Sequence, residues 1–350
     1  SLLMEKQTGT VLFAQDEHTP REPASVTKIM TLLLVMEAID SGALSYDDVV
    51  TGSAHAAGMG GSQIWLKENE QMTVRDLLKA VCIVSGNDAA VALAEHLAGS
   101  EDAFVERMNA RAQELGMNDT HFVNCTGLPA ERHLTSAYDI ALMSRELILR
   151  HPDIRQFTTV WMDSLRGGES MLVNTNKLIR FYDGATGLKT GSTGSAGYCL
   201  SATAEKNGME LIAVVLKGKT SDERFSDAKS LLNYGFSTWS LVTVTRDEVL
   251  PTVPVTLGVR GTVQPVLTSE NTLLVEKTLA NGLTKEVALA ESVAAPVYAG
   301  DTLGQLTVRD AAGNTVAELP ILAGEDVGHV TFVQMLGRCL ARGFCMGPQS

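Results

Sequence analysis

Three short motifs in a fixed order carry side chains able to perform acyl transfer: Ser25-Val-Thr-Lys28, Ser85-Gly-Asn87 and Lys189-Thr-Gly191. A serine hydroxyl is a poor nucleophile until a base takes its proton. Ser25 and Lys28 stand three residues apart at the head of an apolar run. On a helix that spacing is a rise of about 4.5 Å and nearly a full turn, so the Lys28 amine reaches the Ser25 hydroxyl from the same face. Lys28 can act as the base only when neutral, which desolvation and the nearby cation of Lys189 both favour. The Ser25 amide, at a helix N-terminus, offers one donor to an oxyanion, and the Ser192 amide offers a second. Ser85 is suited to relaying a proton from Lys28 to a leaving group, and Asn87 to holding a substrate amide. Lys189 and Thr190 suit a carboxylate, as point charge and hydroxyl donor, while Gly191 lets a substrate backbone approach closely.

Each motif alone is weak. Ser226-Asp-Ala-Lys229 and Ser269-Glu-Asn271 repeat the first two patterns, but both follow the single Lys-Thr-Gly. Only one set keeps the order, with Ser85 following Ser25 by 60 positions and Lys189 following Ser85 by 104, a spacing that suits one site between two lobes. The plainer alternatives are that Ser25 only caps its helix beside a solvated Lys28, and that Ser85 or Asn87 caps the helix that follows.

Elements of two kinds must position these residues. Thr8-Gly9 between two apolar stretches predicts a hairpin over Met4 to Phe13. Helices are expected from Ser25 to Ile39 with Gly42 as a stop, over Thr73 to Val84, over Asp88 to Leu97 and over Glu101 to Leu115 with Gly116 as the C-cap. Gly197 to Ala204 and Met209 to Leu216 read as paired strands around Asn207-Gly208, Lys189 falls where a strand begins, and Arg224 to Tyr234 is helical. From about Trp239 the texture changes to short β-rich segments, from Val242-Thr-Val-Thr through Val253 to Val259 and on to Val316 to Leu319. Turns such as Asn281-Gly282, Ala299-Gly300-Asp301 and Ala312-Gly313-Asn314 punctuate them, which is the pattern of a small all-β sandwich. Val330 to Phe344 returns to helical spacing, with Phe332, Val333, Leu336, Leu340 and Phe344 on one face and Arg338 and Arg342 on another. At about 1.5 Å per residue this tail can lie on a membrane but is too short to cross it. The expected organisation is a catalytic domain over 1–240, a sandwich over 241–327 and an amphipathic tail over 328–350.

Composition bounds the rest. The chain has 350 residues, 45% hydrophobic and 20% charged, enough for two ordinary domains with real cores. Its formal charge of −13 argues against a nucleic-acid partner. Five cysteines (Cys82, Cys125, Cys199, Cys339, Cys345) are odd in number and scattered, so neither a disulfide framework nor a zinc site is expected, and no cofactor is implied. The longest apolar stretch, Ile29 to Met36, reads as a buried helix rather than a membrane span.

Pro23-Ala-Ser-Val-Thr-Lys-Ile-Met-Thr31, Ser85-Gly-Asn-Asp-Ala-Ala90 and Gly187-Leu-Lys-Thr-Gly191 resemble the D-alanyl-D-alanine carboxypeptidases among the low-molecular-mass penicillin-binding proteins. Met108-Asn109, Leu115-Gly-Met117 and Thr126-Gly-Leu-Pro129 match that family between the motifs, and the β-rich region and tail resemble its second domain and membrane anchor. The resemblance implies an α/β fold of the β-lactamase and DD-peptidase kind, an antiparallel sheet flanked by helices plus a helical lobe. It implies that a peptidoglycan stem peptide ending in D-Ala-D-Ala acylates Ser25 with loss of the last D-Ala, and that water then clears the acyl-enzyme. β-Lactams would acylate the same serine. Lys28 is implied as base, Ser85 as proton relay, and Lys189, Thr190 and Arg224 as binders of the terminal carboxylate, Arg224 by its place before Lys229-Ser-Leu-Leu-Asn-Tyr-Gly-Phe236. The family is extracytoplasmic and membrane-associated, so a leader removed before Ser1 is expected. For Arg224 the alternative is a surface ion pair with Glu223 or Asp227.

A class A β-lactamase shares the three motifs but needs a Glu-x-x-Leu-Asn segment, and Glu169-Ser-Met-Leu-Val-Asn174 is one residue too long and only 20 residues before Lys189, counted from Glu169. A zinc D-Ala-D-Ala peptidase is faintly suggested by Ser53-Ala-His55, but Gly60 and Ser62 stand where that pattern wants Ala and Asp, and there is no Glu-x-x-His. A scaffold that binds peptidoglycan without chemistry has no need of Lys28 beside Ser25. An endopeptidase acting on cross-linked stems differs only in what the cleft accepts beyond the scissile bond.

Overall fold

Leu2–Glu5 and Val11–Ala14 pair as the antiparallel hairpin expected around Thr8-Gly9. The computed structural model describes residues 1–243, 250–267, 272–280 and 282–337, in two units, Ser1–Thr238 and Trp239–Ser350. In the first unit the hairpin is completed from the far end of the sequence. Met209–Gly218 pairs with Leu2–Glu5, and Gly197–Lys206 and then Ala185–Thr193 extend an all-antiparallel five-stranded sheet. Alternation along the strands puts Leu2, Met4, Ile212 and Val214 on one face, in a single apolar cluster with the helices of the lobe. Leu3 and Leu211 point the other way, against the helix Ser221–Thr238.

The helix Lys28–Asp40 is buried on almost every side, with Lys28 to Leu33, Val35 and Met36 all shielded, as a run without a polar stripe must be. Each of its buried leucine, isoleucine and methionine side chains contributes roughly 1.5–3 kcal/mol relative to exposure. Thr73 and Ser100 cap Val74–Ile83 and Glu101–Glu114 through their hydroxyls, and Gly42 and Gly116 follow their helices at φ 74° each. One long helix was not expected, besides short helical turns such as Ala54–Ala57 and Leu178–Phe181. Ala137–Arg150 is opened by Ser136, whose hydroxyl accepts from Asp139 N, and it seals the sheet face by a 2.8 Å contact between the Ser144 and Ser201 hydroxyls. Cys82, Cys125 and Cys199 are buried free thiols, and burial pushes Cys82 up to about 12.

The second unit is β-rich. Pro265–Leu267, Thr315–Ala323, Thr302–Arg309 and Thr284–Leu289 form a four-stranded antiparallel sheet. Thr262–Val263, Val253–Thr256 and Val293–Ala294 form a second, whose last pairing is parallel, and Trp239–Thr243 pairs with Thr272–Glu276. A helical turn, Lys277–Ala280, interrupts the strands where none was expected. Asn281 of one expected turn, the end of the Val242 segment, and tail residues 338–350 with Cys339, Cys345, Leu340 and Phe344 lie outside the described residues. The described start of the tail is helical over 332–337 and exposes Phe332, Val333 and Leu336.

Candidate active site

Ser25 sits in a 3₁₀ turn, Ala24–Thr27, that leads into Lys28–Asp40. The position before the turn is Pro23, and no side chain caps it, so Ser25 is not a helix cap. The turn is held in an uncommon shape by its surroundings. Ala24 has φ 49°, and a Cβ on Gly127 would stand 1.8 Å from the Ala24 carbonyl oxygen. On the other side a Cβ on Gly191 would stand 2.8 Å from Ser25 N and 2.9 Å from Val26 N. Two glycines therefore grip the nucleophile turn, one from the 124–128 loop and one from the Lys-Thr-Gly strand.

Lys28 is fully buried, with its Nζ 3.1 Å from Ser25 Oγ, 2.5 Å from Asn87 Oδ1 and 2.7 Å from Thr126 O. Burial first, and then the charge of Lys189, hold its pKa well below the ordinary lysine range. A neutral amine has two N–H bonds and one lone pair. Asn87 Oδ1 and Thr126 O can only accept, so they take both N–H bonds and leave the lone pair to the third hydrogen-bond partner, the Ser25 hydroxyl, which can donate. The site thus aims its base before any substrate arrives. Asn124 builds the Thr126 end of this arrangement, its Oδ1 accepting from Thr126 N at 3.2 Å and Gly127 N at 2.7 Å.

Ser85 lies in the break between Val74–Ile83 and Asn87–Ala98, at φ 65°, with its hydroxyl buried and without a hydrogen-bond partner among the described residues. The helix that follows is capped at Gly86 with no side-chain bond, so neither Ser85 nor Asn87 serves as its cap. Asn87 spends both ends of its amide inside the protein, Oδ1 on Lys28 and Nδ2 on Gly60 O at 2.6 Å.

Lys189, Thr190 and Gly191 lie in the middle of Ala185–Thr193, the edge strand of the five, with Ser192 exposed beside them. Lys189 is buried and its ammonium donates to Thr190 O at 3.0 Å; burial brings its pKa down to about 7. The Thr190 hydroxyl is 2.7 Å from that of Thr175. Arg224 is buried, donating Nη1 to Gly191 O at 2.9 Å and Cys199 O at 3.1 Å, with no ion pair to Glu223 or Asp227. Its guanidinium braces the strand from behind and, after burial, is a cation that pushes Lys189 down. Lys189 and Arg224 make this cleft wall cationic inside a chain of charge −13, an arrangement suited to an anionic ligand group.

The competing motifs lie elsewhere. Ser226 is exposed on the outer helix, and Ser269-Glu-Asn271 lies outside the described residues. Glu169 is exposed at a hairpin tip, and Asn174 is spent on Val160 O and Asn176 N. His55 pairs with Glu101 at 2.8 Å. Sequence reasoning missed Thr126, whose contribution is a backbone carbonyl, and His133. The His133 Nδ1 accepts from Val123 N at 2.9 Å, so its Nε2–H donates to Thr27 Oγ1 at 2.8 Å, and burial keeps it neutral with a pKa of about 4.

Residues 1–220 match the family model described as D-alanyl-D-alanine carboxypeptidase, and residues 240–329 match that of the penicillin-binding protein 5 C-terminal domain. D-alanyl-D-alanine carboxypeptidase DacF of Bacillus subtilis is 41% identical over 97% of this chain and 88% of its own length. The crystal structure of penicillin-binding protein 5 from Haemophilus influenzae superposes with a TM-score of 0.83 at 30% identity, covering 94% of this chain and 96% of the other. Penicillin-binding protein D2 from Listeria monocytogenes, solved in an ampicillin-bound form, matches at TM-score 0.62 and 33% identity over 67% of this chain and 96% of its own. The gripped serine, its aimed lysine and the cationic edge strand thus belong with these matches, and the chain is a member of the D-alanyl-D-alanine carboxypeptidase family.

Proposed function

We propose that this protein is a serine D-Ala-D-Ala carboxypeptidase that removes the terminal D-alanine from peptidoglycan stem peptides and is acylated by β-lactams. The observation that carries the reading is the Lys28 amine, held by two pure acceptors so that its lone pair faces Ser25 Oγ. The terminal carboxylate of the substrate meets the Lys189 ammonium and the Thr190 hydroxyl, with Arg224 adding positive charge through the strand. Ser25 Oγ attacks the carbonyl of the penultimate D-Ala while its proton moves to Lys28. The amides of Ser25 and Ser192 hold the oxyanion. Ser85 passes the proton from Lys28 to the departing amine, the C–N bond breaks, and D-Ala leaves. Water then attacks the ester, giving its proton back through Lys28, and Ser25 is restored.

The expected result is stoichiometric loss of one alanine from a peptide ending in D-Ala-D-Ala, read as the mass of the shortened peptide, with no shortening of the same peptide ending in L-Ala-L-Ala. Turnover of the L,L peptide at a similar rate would remove the substrate assignment.

We further propose an extracytoplasmic placement with the tail lying on the membrane surface. Phe332, Val333 and Leu336 are exposed at its described start, and the sequence beyond adds Leu340 and Phe344 with Arg338 and Arg342. The whole chain is expected to co-sediment with anionic phospholipid vesicles, and Phe332→Asp with Leu336→Asp to release it. Equal sedimentation of both forms would contradict the assignment.

A further inference from the structure

The loop 60–70 reaches the catalytic lysine through one planar amide. Asn87 N donates to Ser62 O at 2.7 Å and its Nδ2 to Gly60 O at 2.6 Å, while its Oδ1 accepts from Lys28. An amide is rigid, so where the loop holds Nδ2 decides where Oδ1 points, and that in turn decides which way the Lys28 lone pair faces.

The loop has almost no room to drift, because it is gripped from two sides. The buried Asp88 carboxylate accepts from Ile64 N and Leu66 N, both at 3.0 Å. Opposite it stands Arg166, from the turn between the paired strands Met162–Leu165 and Ser170–Val173. Its Nη1 donates to Ile64 O at 3.0 Å. Its Nε and Nη2 form a fork on Glu70, at 2.6 Å to Oε1 and 3.1 Å to Oε2. Ile64 is therefore pinned by its N–H to a carboxylate and by its C=O to a guanidinium. Only a planar fork can hold Glu70 and a backbone carbonyl at once.

Backbone shape points the same way. Trp65 at φ 59°, Ser85 at φ 65° and Arg166 at φ 53° are all non-glycine residues in the left-handed region. Such conformations persist where surrounding contacts over-determine them, and here they fall on the clamped loop, on Ser85 two positions before Asn87, and on the clamp itself.

We propose that Arg166 is a positioning residue for acylation: by locking the 60–70 loop against Asp88 it fixes the Asn87 amide, and through it the direction of the Lys28 lone pair. This rests on the acyl-enzyme reading of Ser25 and names a residue that makes no contact with the reacting atoms. The Glu70 and Arg166 side chains are each about one-fifth exposed (21% and 23%), so removing the fork opens no large cavity.

The test is a double-mutant cycle on the second-order rate of penicillin acylation, followed by intact mass on the full chain. Arg166→Met is expected to slow acylation about 10-fold to 100-fold, the scale of a misplacement of about an ångström. In an Asn87→Ala background the same substitution is expected to change the rate less than about two-fold, because the route through Asn87 is already gone. Arg166→Lys, which pairs with Glu70 but cannot bridge to Ile64 O, falls between. A purely structural Arg166 would slow both backgrounds by the same factor, and that outcome overturns the proposal, as does an unchanged rate for Arg166→Met alone. Should Arg166→Met not fold, Glu70→Gln enters the same cycle. Wild-type protein that forms no adduct would instead remove the acyl-enzyme reading itself, so the two failures are distinguishable.

Discussion

Lys28→Met is expected to lower penicillin acylation and D-Ala release about 10²-fold to 10⁴-fold, the range set by losing a positioned general base, while Ser25 stays in place. Methionine fills the same buried volume but has no lone pair able to take a proton. The pH dependence of the wild type carries the matching sign. Lys28 works as the neutral amine, so activity is lost as pH falls through its folded pKa, which burial and Lys189 hold below the ordinary lysine range. Lys189 works as the cation, so activity is also lost as pH rises through its own pKa, about 7 in the empty site. A bound carboxylate favours the charged form of Lys189 and moves that limb upward. The profile of kcat/KM, which reports the free enzyme, should therefore turn down at lower pH than the profile of kcat. Coincident alkaline limbs would contradict the role given to Lys189, and near wild-type activity in Lys28→Met would contradict the role given to Lys28.

Gly127→Ala should damage the enzyme from outside the three motifs. Its φ of 84° is unfavourable for a side chain, and the new Cβ would lie 1.8 Å from Ala24 O and 2.9 Å from Ser25 N. Backbone cannot yield as a flexible side chain does, so the nucleophile turn must shift. A displacement near an ångström corresponds to roughly a 100-fold loss of acylation, and the overpacking adds about 1–3 kcal/mol of destabilisation to the left-handed penalty. Gly116→Ala is the control, since its φ of 74° is similar but nothing lies within 4 Å of its Cβ. That variant should keep full activity with a loss of about 1 kcal/mol read by urea denaturation. Equal losses in the two variants would mean that backbone angle alone, and not the contact with the nucleophile turn, sets the effect.

Much of this site was legible because its chemistry depends on side chains at short spacing. Ser25 and Lys28 needed only helix geometry, and the order of the three motifs separated them from Ser226-x-x-Lys229. Three features were not legible. The second acceptor on Lys28 is the Thr126 carbonyl, and a backbone oxygen leaves no residue signature. The Arg166 clamp joins positions 96 and 102 residues apart, to Glu70 and Ile64, which no local pattern encodes. The left-handed backbones of Ala24, Ser85 and Arg166 fall on residues that do not favour them, so tertiary contacts decide them. The helix Ala137–Arg150 is different, because Ser136 with Asp139 three positions on is a readable start signal that was passed over. In the second unit, β-rich composition and turn residues located most of the strands, but Val293–Ala294 and its parallel pairing with Val253–Thr256 are set by contacts across almost 40 residues.

The most direct measurement of the central claim is intact mass against time after adding a penicillin to wild type and to Ser25→Ala. The account predicts one adduct per chain, of the full mass of the drug, persisting for minutes or longer in wild type and absent from Ser25→Ala. An adduct on Ser25→Ala, or none on wild type, would contradict Ser25 as the nucleophile. An adduct that vanishes while the drug is consumed would contradict the carboxypeptidase reading in favour of a β-lactamase.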